Sequence, residues 1–167
     1  IIGLQHTQNI NPRWNFFFHY RMINSPGIFQ HQRSNHNNFS FTSRYQSKNL
    51  RYHSWFISLS NKLQSEENGG IIDTTQLLDD PIFQDRFNIP VYLGGADNFS
   101  SNFFSTKIKT GTQIRHSVFL WRNQYDLGRK DSLVTDSTMI PLFFPRVRLE
   151  HQLRFDKEQY AFIDKIP

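Results

Sequence analysis

The sequence has no cysteine, and it has no apolar run as long as a membrane-spanning helix requires. Without cysteine there can be no disulfide framework and no thiolate metal site, although the compartment stays open. Without roughly 20 consecutive apolar residues, a helical membrane protein is excluded. The second absence does not bear on a membrane β-barrel, whose strands need only about 9–11 alternating residues.

Aliphatic residues are also scarce. Hydrophobic residues make up 37% of the 167 residues, below the roughly 45–50% of ordinary globular domains. Aromatic residues nevertheless reach 16%, with 17 Phe, 6 Tyr and 3 Trp. The apolar surface is therefore supplied by rings at spaced positions and not by layers of Leu, Ile and Val.

The sequence contains no long run of like charge. Its 19 Lys and Arg against 14 Asp and Glu give a net charge of +5 and a pI near 9.6. A basic balance can indicate nucleic acid, an anionic membrane surface or an anion pathway. Because the basic residues are scattered singly, we do not expect a nucleic-acid partner.

Motifs of catalysis and of cofactor or metal binding are missing as well. None of the seven histidines forms an HExxH pair, and there is no G-x-S-x-G elbow and no glycine-rich phosphate loop. Asp73, Asp79 and Asp85 lie six residues apart, which matches no EF-hand calcium loop, so we interpret them as part of a solvated loop. We therefore expect no enzyme activity, no cofactor and no metal.

What the sequence does contain is two-residue alternation. Between Arg51 and Leu63, the odd positions Trp55, Ile57 and Leu59 are apolar, and the even positions are mostly serine. Alternation of this kind predicts a β-strand with one apolar face. Similar patterns predict about seven strands in all, the others being 1–10, 13–23, 37–47, 102–109, 113–127 and 146–156.

The connections between these strands alternate in length. Those at 11–12, 48–49 and 110–112 are short, whereas those at about 24–36, 64–101 and 128–144 are long. This order predicts an antiparallel up-and-down meander with every long loop at one end. Transmembrane β-barrels are arranged in this way, with tight turns on one side and long outer loops on the other.

Five short motifs occur in order between about Pro26 and Gly128. They are Ser25-Pro26-Gly27, Lys48-Asn49-Leu50-Arg51-Tyr52, Ser65–Ile71 (SEENGGI), Arg86-Phe87-Asn88-Ile89-Pro90-Val91 with Leu93, and Tyr125-Asp126-Leu127-Gly128. In their order and spacing they resemble the β-barrel porin family of the Bacteroidota outer membrane. The resemblance implies an all-β fold that is part of a transmembrane β-barrel, located in the cell outer membrane, with outer-membrane lipid as its surroundings. An odd strand number and the lack of a terminal aromatic residue lead us to expect that residues 1–167 are an interior segment of one longer barrel domain.

If the strands span a membrane, their polar faces line the lumen. An arginine facing lipid at mid-bilayer would cost about 2–4 kcal/mol, so the strand arginines are expected to face water or protein. A lumen rich in arginine would favour anions; alternatively, the arginines pair with acidic groups and confer no selectivity. The lumen-facing candidates are Arg21, Arg44, Arg122, Arg146, Arg148, Arg154, Glu150 and Asp156.

The larger rings are candidates for the aromatic girdles at the two membrane interfaces. The alternative is that they fill the core of a soluble β-sandwich, which shows the same period. The girdle candidates are Trp14, Tyr20, Tyr45, Trp55, Trp121 and Tyr125.

These observations predict a porin-like barrel for passive diffusion of small polar solutes, with a bias towards anions. One alternative is a barrel that conducts nothing and scaffolds other outer-membrane proteins. Another is a secreted, soluble β-sandwich that binds carbohydrate.

Overall fold

Six β-strands form one curled antiparallel sheet in which each strand pairs with the next along the chain. The computed structural model describes residues 1–72, 81–95, 104, 107–135 and 138–165. The predicted all-β, up-and-down antiparallel meander is confirmed. The strands are β1 (Ile2–Asn11), β2 (Trp14–Ser25), β3 (Ser34–Gln46), β4 (Tyr52–Glu66), β5 (Thr110–Thr135) and β6 (Thr138–Asp164).

Short turns at one end of the sheet are closed by local side-chain hydrogen bonds. The carboxamide of Asn11 accepts from the Arg13 amide at 2.9 Å, which fixes the β1–β2 turn at Pro12. In the β3–β4 turn, the Ser47 hydroxyl accepts from the Tyr52 amide at 2.9 Å, and Leu50 takes a left-handed conformation with φ of 58°.

The long connections lie at the opposite end, as predicted. β2 and β3 are joined by residues 26–33, and β4 and β5 by residues 67–109. The second loop contains two 3-10 helices, Pro81–Gln84 and Arg86–Asn88, and Asp85 caps the latter by accepting from the Phe87 amide at 3.1 Å. No helix in the described ranges is long and apolar enough to cross a membrane.

The predicted connections at 110–112 and 128–144 are wrong, because both segments lie within strands. Gly128 and Pro141 suggested a loop, but Gly128 pairs with Pro145 beside a β-bulge between Leu127 and Gly128, and Pro141 pairs with Ser132. Proline is tolerated there because β6 is an edge strand of the described sheet, so no neighbour requires its missing N–H. β5 and β6 therefore form one long hairpin that closes between Thr135 and Thr138.

Part of the sequence prediction concerns residues outside the described ranges. The predicted strand at 102–109 is one case; of its described residues, Phe104 lies in a turn and 107–109 are not in a strand. Asp73, Asp79, Asp80 and Asp97 of the long loop also lie outside them, so the interpretation as a solvated loop stays a prediction.

Few apolar side chains are buried. In the described part of the chain they are Met22, Ile89, Val91 and Ile108, which lie in the long loop or towards the long-loop end of the sheet. Large hydrophobic side chains elsewhere are exposed along the strands, including Leu153 and Phe155. A β-sandwich buries one face of each sheet against another sheet, whereas the described strands form a single sheet.

Candidate functional site

Strand register divides the side chains of the sheet between two faces of opposite character. Directly paired residues project to the same side, and the pairing is continuous from β1 to β6. One side of the sheet, which we call the polar face, carries the odd positions of β1, β2 and β4 and the even positions of β3. It also carries the even positions of β5 up to Asp126 and of β6 from Arg148 onwards. The opposite side is the aromatic face.

Most of the predicted lumen-facing residues share the polar face. Seven of the eight lie there: Arg21, Arg44, Arg122, Arg148, Arg154, Glu150 and Asp156. The eighth, Arg146, is the extra residue of the β-bulge, since Val147 pairs with Leu127 and Pro145 with Gly128. The sequence thus placed these charges on one surface from four different strands.

Asp126 is the most enclosed charge of the polar face, being only 4% exposed. Its Oδ1 accepts from Arg148 Nε at 2.8 Å, and its Oδ2 accepts from Gln124 Nε2 at 2.8 Å. Arg148 lies directly opposite Asp126 in the β5–β6 ladder. Both carboxylate oxygens are therefore satisfied by neighbours that the register holds in place.

Two further ion-pair groups connect β5 and β6. Arg122 Nη2 lies 2.8 Å from Glu150 Oε2. Asp156 receives Arg154 Nη2 at 2.8 Å and His116 Nε2 at 2.9 Å. These groups are each about half exposed, so each pair stabilises the fold only weakly. Their main effect is to neutralise Arg122 and Arg154 locally.

The charges of the polar face balance. Arg21 and Arg44, on β2 and β3, form no ion pair with any other described residue, so positive charge remains on that half of the sheet. Across the polar face of all the described strands, five arginines face five carboxylates. They are Arg21, Arg44, Arg122, Arg148 and Arg154 against Asp126, Glu150, Asp156, Glu158 and Asp164.

The aromatic face carries a continuous set of rings. Phe41 and Phe56 have centroids 5.8 Å apart, and Phe56 and Phe119 are 5.1 Å apart, both edge-to-face. Such contacts contribute roughly 0.5–1.5 kcal/mol beyond area burial. Five of the six predicted girdle residues lie on this face: Trp14, Tyr20, Tyr45, Trp121 and Tyr125.

Serines separate these rings and satisfy the indole groups. Trp14 Nε1 donates to Ser43 Oγ at 3.0 Å, and Trp121 Nε1 donates to Ser54 Oγ at 3.1 Å. Ser58 lies between Phe41 and Phe119 in the register. Small residues on β4 thus leave room for the rings of its neighbours.

Grouping Trp55 with the other girdle residues is wrong. Trp55 pairs with Arg44 on one side and with Arg122 on the other, so it lies on the polar face. The Arg122 guanidinium stands 5.4 Å from the centre of the Trp55 ring, and the His53 ring stacks 5.7 Å from it. The alternation within β4 was read correctly, but its apolar side continues the polar side of β3 and β5.

The two long connections are joined to each other at their end of the sheet. His31 is 7% exposed, and its Nε2 lies 2.9 Å from the carbonyl oxygen of Gly95. Asn68 Nδ2 donates to the carbonyl of Gln30 at 3.2 Å. The described part of the long loop is thereby held against residues 26–33.

Sequence reasoning missed two members of the polar-face network, His116 and Asp126. Both share the even parity of Arg122 within β5, which is the signal that could have found them. Across the described ranges, no three His, Cys, Asp or Glu side chains approach closely enough to hold a metal ion. The network is thus one of charge pairing and hydrogen bonding.

Comparison with known families gives one match. A family model described as "Putative porin" matches residues 1–167. Searches of curated proteins and of solved structures returned no significant match. The model covers the entire sequence, and its description agrees with an open, two-faced antiparallel sheet. The chain belongs to this porin family.

Proposed function

We propose that the chain is part of an outer-membrane barrel through which small polar solutes diffuse passively. The polar face lines the aqueous lumen, and the aromatic face contacts lipid. Family membership supports a porin-like outer-membrane protein. The solute class and the orientation of the faces are the parts that we add.

The observation that carries this proposal is the segregation of charge from rings across one continuous register. The polar face holds five of the strand arginines together with five carboxylates, and the aromatic face holds most of the Phe, Trp and Tyr rings. Side-chain exposure agrees in the part of β5 nearest the short turns, where Gln124 and Asp126 are buried whereas Trp121 and Tyr125 are each 40% exposed. Crowding on the polar side is expected on the inside of a curled sheet, and apolar residues face outwards in membrane barrels.

The balance of charge on the polar face favours weak selectivity. Arg122, Arg148 and Arg154 are paired with carboxylates, so they contribute local field but little net charge. Arg21 and Arg44 supply the remaining basic strip, and this strip is the part of the lumen that would favour anions. Solutes would pass down their gradient with selection by lumen width and, to a smaller degree, by charge.

Planar-bilayer conductance with reversal potentials tests the proposal. Arg21→Glu with Arg44→Glu should shift the reversal potential towards cation preference, because these are the unpaired arginines of the polar face. Arg13→Glu with Lys48→Glu makes the same charge change in the short turns, outside the strands, and should shift it far less. Equal shifts in both variants, or a folded protein without conductance, would contradict a lumen lined by the polar face.

A non-conducting scaffold is the second candidate, and the β5–β6 hairpin favours it. Beyond Asp126, which is level with Arg51 of the β3–β4 turn, the hairpin continues to Thr135 without β4 beside it. Its apolar side chains are exposed there, with Val134 at 68% and Met139 at 71%. An exposed apolar hairpin suits contact with another protein. Absence of conductance together with loss of a bound partner on shortening this hairpin would favour the scaffold.

A further inference from the structure

Three basic side chains form a cluster on the aromatic face, where charge is otherwise scarce. Lys62 of β4 and Arg115 of β5 are direct register partners. Lys157 of β6 pairs with Ser117, two residues along β5 from Arg115. The cluster lies towards the long-loop end of the sheet, and we call these three residues the basic triad.

Among the described residues, no acidic group forms an ion pair with the triad. Arg115 Nη2 donates to Gln113 Oε1 at 3.4 Å, which orients the guanidinium without neutralising it. A groove between these strands is lined on this face by the triad and by neutral polar residues, namely Ser60, Ser117 and Gln159.

The triad adjoins the ring cluster. Phe119 and Phe155, which pair with each other, lie four residues along β5 from Arg115 and two along β6 from Lys157. At about 3.4 Å per residue, the step along β5 is roughly 14 Å. A charge on the lipid side is strongly unfavourable at the bilayer midplane and far less so near the interfaces. Placed at the long-loop interface, the triad is compatible with a membrane.

We propose that the basic triad binds the phosphate of an anionic lipid headgroup on the outer surface of the barrel. This inference rests on the proposed orientation, in which the aromatic face contacts lipid. An acyl chain would lie along Phe119 and Phe155, and the headgroup phosphate would lie between Lys62, Arg115 and Lys157. Guanidinium and ammonium groups with nearby hydroxyls are the donors that phosphate oxygens accept from most strongly.

Lipid retention measured by native mass spectrometry tests this inference. The protein is purified from membranes in detergent and offered a mixture of phosphatidylcholine and phosphatidylglycerol. The variant replaces the triad with Lys62→Gln, Arg115→Gln and Lys157→Gln. A matched control replaces Arg21, Arg44 and Arg122 of the polar face with Gln, which removes the same charge.

The triad variant should retain at least about tenfold less phosphatidylglycerol, since three basic groups that attract anionic lipid are removed together. The polar-face control should retain it as the parent does. Equal retention by the triad variant and the parent, or an equal loss in both variants, would overturn the inference. Displacement by the same concentration of inorganic phosphate would also overturn it, because the lipid would then not be the occupant.

Two further measurements keep the result interpretable. Lys157→Gln alone, on the exposed edge strand, should lose part of the retention and serves if the triple variant does not fold. Conductance of the triad variant should match that of the parent, because its changes lie outside the lumen. Normal lipid retention without conductance would refute the pore but not the lipid site, and the reverse result would refute only the lipid site.

Discussion

Asp126 shows how one enclosed carboxylate connects two strands. Arg148 donates to one of its oxygens and Gln124 to the other, and Asp126 itself is nearly buried. Glu150 also accepts from an arginine, but this pair is about 40% exposed on both sides. The same chemistry is therefore worth more at Asp126, because water competes less there.

Neutralising Asp126 should destabilise the sheet more than neutralising Glu150. Asp126→Asn weakens two charge-assisted hydrogen bonds and should lower the free energy of unfolding by about 1–2 kcal/mol. Glu150→Gln makes the same charge change at an exposed pair and should cost less than about half of that. Urea unfolding in detergent, followed by tryptophan fluorescence, measures both. Equal costs would show that burial at Asp126 has no energetic effect.

Gly94 allows the long loop to approach His31 closely, because glycine has no side chain there. Its φ is 97°, and a Cβ added there would lie 2.3 Å from the His31 ring. Gly95 also has a positive φ, of 63°, but a Cβ there would meet no atom within 4 Å. The two neighbours share the backbone strain and differ in the clash with His31.

Alanine substitution at these two glycines should separate the effect of backbone strain at positive φ from the effect of a clash with the His31 ring. Gly94→Ala should displace the His31 ring and loosen the loop, seen as faster proteolysis between residues 67 and 109. Gly95→Ala should change proteolysis much less, since it adds only the φ penalty. If the two variants are cut at the same rate, the His31–Gly95 contact does not hold the loop.

At the scale of the element, the sequence predicted strands well and their limits less well. Period-two alternation located β2, β3 and β4 to within a few residues of their observed bounds. It failed at 128–144, because Gly128, Pro141 and Pro145 are loop signals that an edge strand with a bulge can accommodate. It also could not say which face of β4 joins which face of β3, because that depends on register across the turn at 47–51 and not on β4 alone.

Removing the overhang of β5 and β6 leaves the β4–β5 pairing intact and takes away the contact with the β3–β4 turn in which the Arg51 guanidinium lies 5.3 Å from the centre of the Phe143 ring. Replacing Arg129–Phe144 by Asn-Gly would close a two-residue turn beside the Gly128–Pro145 pair. We expect conductance and detergent stability to be kept, because β4 does not pair with these residues. A control with Leu133, Val134, Met139 and Ile140 changed to Ser keeps the length and loses the apolar surface. Loss of conductance in the shortened form alone would mean that the overhang is part of the pore.

At the scale of the whole molecule, the two faces set where a charge can be placed. Ser58 lies on the aromatic face between Phe41 and Phe119, and Ser40 lies on the polar face between His19 and Leu59. Composition and alternation predicted that such faces exist. Which charges would pair across the sheet depended on register, so the balance of arginine and carboxylate did not follow from the sequence alone.

A matched pair of serine substitutions tests the orientation of the whole sheet. Ser58→Arg should reduce assembly into membranes, at a cost of about 2–4 kcal/mol if the site is near the bilayer midplane. Ser40→Arg should assemble as the parent does, because it adds charge to the polar face. The folded fraction is read from heat-modifiable gel migration. The opposite result would mean that the polar face contacts lipid, and it would refute both the lumen and the lipid-site proposals.

The β-bulge at Arg146 changes which positions of β6, odd or even, lie on the aromatic face. After it, odd residues such as Val147 lie on the aromatic face; before it, the even residue Phe144 does, as the partner of Arg129. In a strand that hydrogen-bonds to the free edge of β6, the residues opposite the bulge would meet the same change from odd to even positions. That neighbour must either carry an irregularity of its own or switch its polar and apolar positions from odd to even partway along its length. A strand that pairs with this edge of β6 could therefore be recognised by a break in its alternation of polar and apolar residues.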